Sequence, residues 1–115
     1  MTETFTRQQV IADVSGLDPV RLVEFIEAEI IVPVHVPEQP EEVAFRQVDV
    51  ARLRLACELC DCFEIRDETL AMVMGLVDQL HGARAELRAV VKAIETLPPD
   101  TQRDVVVALD QARKG

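Results

Sequence analysis

The 115-residue chain has no tryptophan or tyrosine and only four phenylalanines. Its core must therefore be built from aliphatic side chains, which suits packed helices better than aromatic-rich strands. Its four glycines are scattered, so it has no glycine-rich phosphate-binding loop. It has no apolar run long enough to span a bilayer, and its N-terminus does not resemble a signal peptide. These absences favour a cytoplasmic helical protein.

The chain also has few basic residues. The chain has 12 Lys and Arg against 21 Asp and Glu, for a formal net charge of -9. Residues 1–46 alone carry three basic and nine acidic residues. Proteins that bind nucleic acid collect cations against the phosphate backbone, so this composition argues against DNA as the partner. It favours a basic surface on another protein.

The three cysteines, at positions 57, 60 and 62, are the main candidates for metal chemistry. Cys57 and Cys60 have a spacing found in zinc sites, but no second cysteine pair follows. Both lie on the apolar stripe of a predicted helix, where cysteine packs as a small apolar residue. We interpret them as core residues and expect no metal site, with metal or redox sensing by the cluster as the alternative.

The sequence offers little for catalysis. His35 and His81 are far apart in the chain, and neither has a nucleophile or an acid at triad-like spacing. Glu58, Asp61 and Glu64 fall three apart, as on the solvated face of one helix. We therefore expect no enzymatic activity, no catalytic residue and no cofactor.

Two short helices are predicted in the first 30 residues. Thr6 can cap a helix over residues 7–14, and the glycine at position 16 can end it. Asp18 followed by Pro19 is a second start signal, for a helix over residues 19–28. The side chains expected to face inward on this second helix are Val20, Val23, Ile26 and Leu22.

The pattern then changes to β-branched residues. Residues 30–36 and 43–45 read as two short extended runs around a polar turn, and together they predict a small hairpin. Helical spacing returns at Gln47 and continues to about Phe63. The inward stripe of this third helix is predicted to be Val50, Leu53, Cys57 and Cys60.

A heptad stripe follows. Its members are Leu70, Val73, Val77, Leu80, Arg84, Leu87, Val91 and Ile94. A helix over residues 67–97 would be roughly 45 Å long, more than so small a domain can cover. The far half then needs a partner, most simply a second copy, through Leu80, Leu87, Val91 and Ile94. The alternative is an internal hairpin, in which residues 101–113 fold back after two prolines.

This order of elements resembles that of MerR-type winged-helix regulators, and within that class the chaperone-modulator (CbpM) branch. The passages that carry the resemblance are Phe5-Thr6-Arg7, Ser15-Gly16-Leu17, Phe45-Arg46-Gln47-Val48-Asp49-Val50-Ala51-Arg52-Leu53 and Leu76-Val77-Asp78-Gln79-Leu80. The resemblance implies a mainly α fold: a MerR-like winged helix-turn-helix with a small β-hairpin wing and a long C-terminal coiled-coil helix. It divides the chain into a winged domain (1–66), a heptad helix (67–97) and a short C-terminal helix and tail (98–115).

The resemblance also implies a function. Members of the branch bind and inhibit the J-domain of a DnaJ-like co-chaperone, so we expect a similar partner here. The acidic residues expected to contact it are Glu24, Glu27 and Glu29, or Asp61, Glu64, Asp67 and Glu68. The sequence does not choose between these groups. Two alternatives stay open: a MerR-type transcription regulator that binds DNA, with or without a metal or redox response, and a dimeric adaptor for an unrelated protein.

Overall fold

The computed structural model describes residues 3–115, and of Pro40 only the backbone. Residues 1 and 2 lie outside the described residues. They begin both the N-terminal segment that was compared with a signal peptide and the predicted 1–66 domain. The elements in chain order are β1 (Thr4–Phe5), α1 (Arg7–Asp13), α2 (Pro19–Glu27), β2 (Val34–Val36), β3 (Gln39–Arg46), α3 (Gln47–Phe63), α4 (Asp67–Glu95) and α5 (Pro99–Lys114). The described chain is mainly helical with a small three-stranded antiparallel sheet, which confirms the coarse fold class. It forms two compact units that meet in sequence after Leu76.

The two predicted helix starts are confirmed in the N-terminal unit. The Thr6 hydroxyl accepts a hydrogen bond from the Gln9 amide at 3.1 Å, and the Gln9 side chain accepts one from the Thr6 amide at 2.8 Å. This reciprocal pair is a capping box. Asp18 caps α2 by accepting from the Arg21 amide at 2.7 Å, and Pro19 is the first helical residue.

The predicted inward face of α2 was partly wrong. Leu22 and Phe25 are buried, whereas Val20 and Val23 are 68% and 41% exposed. Five apolar residues occupy α2, so more than one apolar face can be drawn on it. The large Phe25 side chain decides between them, because its burial removes more apolar surface from water than that of a valine.

The sheet has the order β1-β3-β2, with β3 between the two shorter strands. On one side Thr4 pairs with Arg46 and Phe5 with Phe45. On the other side β2 pairs with β3 as the predicted hairpin. Three findings differ from the prediction. Strand β1 was not expected, and the first hairpin strand is shorter, because Ile30 and Ile31 lie in the core before it begins. Strand β3 is longer than the predicted run 43–45, since it begins at Gln39 within the predicted polar turn.

Helix α3 supplies one wall of the core. The predicted stripe is confirmed, since Val50, Leu53, Cys57 and Cys60 are all buried. The core around it also contains Val10, Val14, Leu17, Leu22, Phe25, Ile30, Ile31, Phe45, Ala56, Leu70 and Met74.

One acid is buried beside this core. Asp49 is 1% exposed, and its carboxylate accepts from the Arg46 amide at 2.8 Å and from the Arg46 guanidinium in two bonds of 3.0 Å. These bonds satisfy the carboxylate in the interior. The pair fixes the point at which β3 passes into α3.

The C-terminal unit, Val77–Gly115, contains the second half of α4 and all of α5. The structure describes every residue of this unit, and none of them is fully buried. Of the α5 residues expected to fold back in an internal hairpin, Val106 and Leu109 are exposed and Val105 is partly buried, so none of the three is enclosed in a core. In the described part of the chain, residues 3–115, no helix is both long enough and apolar enough to cross a membrane.

Candidate protein-binding surfaces

The first predicted acidic group, Glu24, Glu27 and Glu29, lies at the end of α2, and all three side chains are exposed. The helix ends in a tight reversal: the Ile30 amide donates to the Phe25 carbonyl at 3.0 Å and the Glu29 amide to the Ile26 carbonyl at 3.1 Å. Glu29 adopts φ 59° to make this turn. The reversal directs Ile30 into the core and leaves Glu29 at the surface.

The second predicted acidic group, Asp61, Glu64, Asp67 and Glu68, lies at the junction of α3 and α4. All four residues are exposed. Glu64 ends α3 with φ 55°, and Asp67 has φ 56°. Two turns of unusual conformation therefore set the directions of these acids.

The junction also carries an aromatic side chain. Phe63 is 69% exposed. The neighbouring Ile65 is partly buried and packs against the core. Phe63 is thus available to a partner, whereas Ile65 mainly supports the junction.

One residue of each acidic group lines a common cavity. A cavity of about 210 Å³ lies between α2 and the start of α4. Its lining includes Glu24 from the first group and Asp67 from the second, together with Ala28 and the basic residues Arg21 and Arg66. The two groups between which the sequence could not choose thus each contribute one carboxylate to this cavity, beside the two arginines. We call it the acidic groove.

An ion pair fixes one end of this surface. The Nη1 atom of Arg21 donates to Asp61 Oδ1 at 3.1 Å and to the Gly16 carbonyl at 2.9 Å. Although partial burial of the guanidinium opposes the effect, the hydrogen bond and charge of Asp61 raise the pKa of Arg21. The pair joins α2 to the end of α3, so Asp61 has a structural contact as well as an exposed side chain.

Gly16 is required at the turn beneath this pair. It has φ 86°, and a Cβ atom built on it would lie 2.5 Å from Asp61 Oδ2. Any other residue would carry the strain of the left-handed conformation and push the Asp61 carboxylate away.

The cysteines divide by location. Cys57 and Cys60 lie in the core, Cys62 is exposed, and all three are free thiols. Burial raises the pKa of the Cys57 and Cys60 thiols, which keeps them in the protonated form that binds metals poorly. Among the described residues, no three His, Cys, Asp or Glu side chains are placed to hold a metal ion.

One of the two basic residues of α3, Arg52, is used within the fold. The Arg52 guanidinium donates two hydrogen bonds to the Ile30 carbonyl, from Nε at 3.0 Å and from Nη2 at 2.6 Å. It therefore holds the chain that leaves α2. This contact reduces the cationic surface that a DNA backbone would need.

The predicted self-association residues lie on the second half of α4. Leu80 and Leu87 are 50% and 63% exposed, Val91 is exposed, and Ile94 is partly buried. Val90, which the heptad reading left out, is also exposed, and at helical spacing it lies beside Leu87 and Val91. These side chains form a stripe that the C-terminal unit does not cover.

The sequence thus predicted the acidic residues but not the cavity that Glu24 and Asp67 both line. The groove is lined by residues of α2, the end of α3 and the start of α4, and Phe25, which lies both in this lining and in the core, was missing from the predicted core. No protein-family model, curated protein or solved structure matches the chain.

Proposed function

We propose that the protein binds the J-domain of a DnaJ-like co-chaperone and inhibits it. The observation that supports this most directly is the acidic groove, to which two separate acidic groups contribute one carboxylate each, Glu24 and Asp67. A basic helix is the natural complement of such a surface, because it can present several Lys and Arg side chains along one face. The resemblance to the chaperone-modulator branch gives the identity of the partner.

In this proposal the N-terminal unit is a MerR-like winged helix-turn-helix. Helices α1 and α2 with their tight turn are the helix-turn-helix, and the β2–β3 hairpin is the wing. The pairing of β1 with β3 and the order of α3 and α4 agree with this interpretation. Residues 1–66 then make up the winged domain, residues 67–97 the heptad helix, and residues 98–115 the short C-terminal helix and tail.

The mechanism is competition without catalysis or a cofactor. Carboxylates around the groove attract the basic helix and orient it, and this attraction weakens as salt screens the charges. Phe63 adds an apolar contact at the rim, where an exposed aromatic ring can act as an anchor. The bound protein then occupies the J-domain surface that would otherwise engage Hsp70.

The active form in this proposal is a cytoplasmic homodimer. Two copies would join through Leu80, Leu87, Val91 and Ile94, which removes the exposed stripe from water. Each dimer would then present two acidic grooves.

Capture of a purified J-domain protein tests the proposal. We expect Glu24→Lys with Glu27→Lys to weaken binding by at least about tenfold, because the two reversals replace attraction by repulsion at the groove. The matched control is Glu41→Lys with Glu42→Lys, which changes the net charge equally but lies on β3. Binding should fall with salt for the wild type and the control alike.

Three outcomes would contradict the proposal. Equal losses in both double variants would mean that net charge matters and the groove does not. Absence of J-domain binding, with retention on a DNA column, would favour the MerR-type regulator. Capture of an unrelated protein instead would favour the dimeric adaptor.

A further inference from the structure

The two halves of α4 differ in what they pack against. In the first half, Leu70 and Met74 are buried in the core of the N-terminal unit. They are four residues apart, so they mark the face of the helix that packs internally. In the second half, residues 80–93 are all exposed. The burial seen in the first half therefore does not tell which face of the second half meets a partner, and that face has to be found from the second half itself.

Two stripes with a spacing of three and four residues can be drawn along the second half. Both contain the same three large apolar residues, Leu80, Leu87 and Ile94. The predicted heptad adds Arg84 and Val91 to them, whereas the other stripe adds Ala83 and Val90. At about 100° per residue, these two pairs lie on opposite flanks of the line through the shared residues. Leu80, Leu87 and Ile94 thus leave the choice between the two stripes open.

Charge decides between the two stripes. A residue in the seam of two packed helices is enclosed by side chains of the facing helix. Arg84 in the seam would lose its water among apolar neighbours, with no acid in the stripe to pair with, which is costly. The stripe through Ala83 and Val90 has only apolar members and leaves Arg84 in solvent. Arg88, four residues further on, lies on the same side of the helix as Arg84, so this side stays hydrated.

We propose that two copies of the chain pack through the charge-free stripe, with Arg84 and Val91 at the rim of the contact. The members of this stripe, which we call the neutral seam, are Leu80, Ala83, Leu87, Val90 and Ile94. The inference rests on the dimer of the proposed function and adds Ala83 and Val90 to its contact residues. The small side chain of Ala83 lets the two helix axes approach closely at this position.

Two features select a second copy as the occupant of the neutral seam. A stripe this narrow, with a strict repeat of three and four, is typical of a coiled-coil seam, and the facing helix needs the same repeat. A second copy supplies it. In addition, residues 77–115 contain six basic and six acidic residues and no net charge, whereas residues 1–76 carry the whole net charge of -9. Two copies therefore repel each other least through their C-terminal units.

Two valine variants of the full chain test the inference. Val90→Glu and Val91→Glu make the same substitution at adjacent exposed positions of one helix, so they change the net charge and the helix propensity equally. We expect Val90→Glu to raise the dimer dissociation constant about tenfold more than Val91→Glu, because only Val90→Glu places a carboxylate inside the seam. Sedimentation equilibrium measures the dissociation constants.

A substitution of Arg84 tests the same choice from the other side. If Arg84 lay in the seam, Arg84→Leu would remove a buried charge and strengthen the dimer by about tenfold or more. With Arg84 at the rim, the same variant should change the dissociation constant by less than about threefold, since an exposed charge contributes little.

Three sets of results separate this inference from the proposed function. If the wild type is dimeric, equal effects of the two valine variants, a larger effect of Val91→Glu or a much tighter dimer of Arg84→Leu would overturn the inference alone. A monomeric wild type would overturn the inference together with the proposed dimer. Loss of J-domain capture, with the difference between the valine variants intact, would refute only the proposed binding of a J-domain.

Discussion

Three of the seven candidate acidic residues, Glu29, Glu64 and Asp67, have a backbone conformation that glycine adopts most easily. A side chain in this region costs roughly 1–2 kcal/mol relative to the right-handed conformation. All three occur where the chain reverses direction at or near a helix end. The reversals fix the backbone positions from which these exposed side chains extend.

The location of the cysteines leads to a prediction about thiol reactivity. With an alkylating reagent at neutral pH, we expect one thiol per chain, Cys62, to react quickly. Cys57 and Cys60 should react only as fast as the N-terminal unit opens, because burial excludes the reagent and raises both thiol pKa values. Mass spectrometry of the alkylated peptides against time measures both phases.

The control is Cys62→Ser, which should abolish the fast phase and leave the slow one. Fast modification of Cys57 or Cys60 in the folded wild type would contradict the core assignment. Zinc retained by the purified protein would revive the metal-sensing alternative.

At the scale of single residues, the sequence predicted the burial of some residues correctly and gave no sign of the burial of others. Cys57 and Cys60 could be placed in the core because their spacing continues the stripe of Val50 and Leu53. The burial of Asp49 could not be foreseen, since an acid normally stays in water. It is buried because the Arg46 side chain and amide together satisfy its carboxylate.

At the scale of elements, two glycines should respond to alanine in opposite directions. Gly82 lies inside α4, where an added Cβ meets nothing within 4 Å. Gly82→Ala should therefore stabilise the helix by about 1 kcal/mol. Gly16→Ala should destabilise the N-terminal unit by about 1–2 kcal/mol or more, because of its positive φ and the contact with Asp61.

Urea unfolding followed by circular dichroism measures both changes. Gly75→Ala is the control for Gly82→Ala, because Gly75 also lies inside α4 with nothing within 4 Å of an added Cβ atom. A stabilising effect of Gly16→Ala would mean that the turn can relax, and that the Arg21–Asp61 pair does not constrain it.

The same scale shows where sequence patterns fail. The stripe of α3 has one clear solution and was predicted correctly, with both helix ends. Helix α2 has apolar residues around most of its circumference, so periodicity alone could not select Leu22 and Phe25 over Val20 and Val23. Strand β1 is two residues long and pairs with a strand about 40 positions away, and no local signal marks such a contact.

At the scale of the whole molecule, the exposed stripe of α4 predicts self-association. Leu80→Glu with Leu87→Glu should make the protein monomeric, because the charges would be buried at the interface. The matched control is Ala85→Glu with Ala89→Glu, which adds the same charge on the opposite face of α4. Light scattering measures the mass of the protein. The concentration should be tens of micromolar, on the order at which a dimer of moderate affinity forms.

A monomeric wild type would contradict the dimer proposal at once. Equal effects of the two double variants would show that added charge, and not the stripe, controls association. The acidic groove is formed within residues 3–76, so J-domain binding by a single copy should persist in a monomeric variant.

The lack of any buried residue in Val77–Gly115 has a consequence for how this part of the chain stays folded. Its helices gain little from an internal core, and isolated helices of this length are only marginally stable in water. In the proposed dimer, contact between the copies would supply most of the stabilisation, and mass action would make the helical content depend on protein concentration. The abundance of the protein in its compartment would thus set how much of its C-terminal half is ordered.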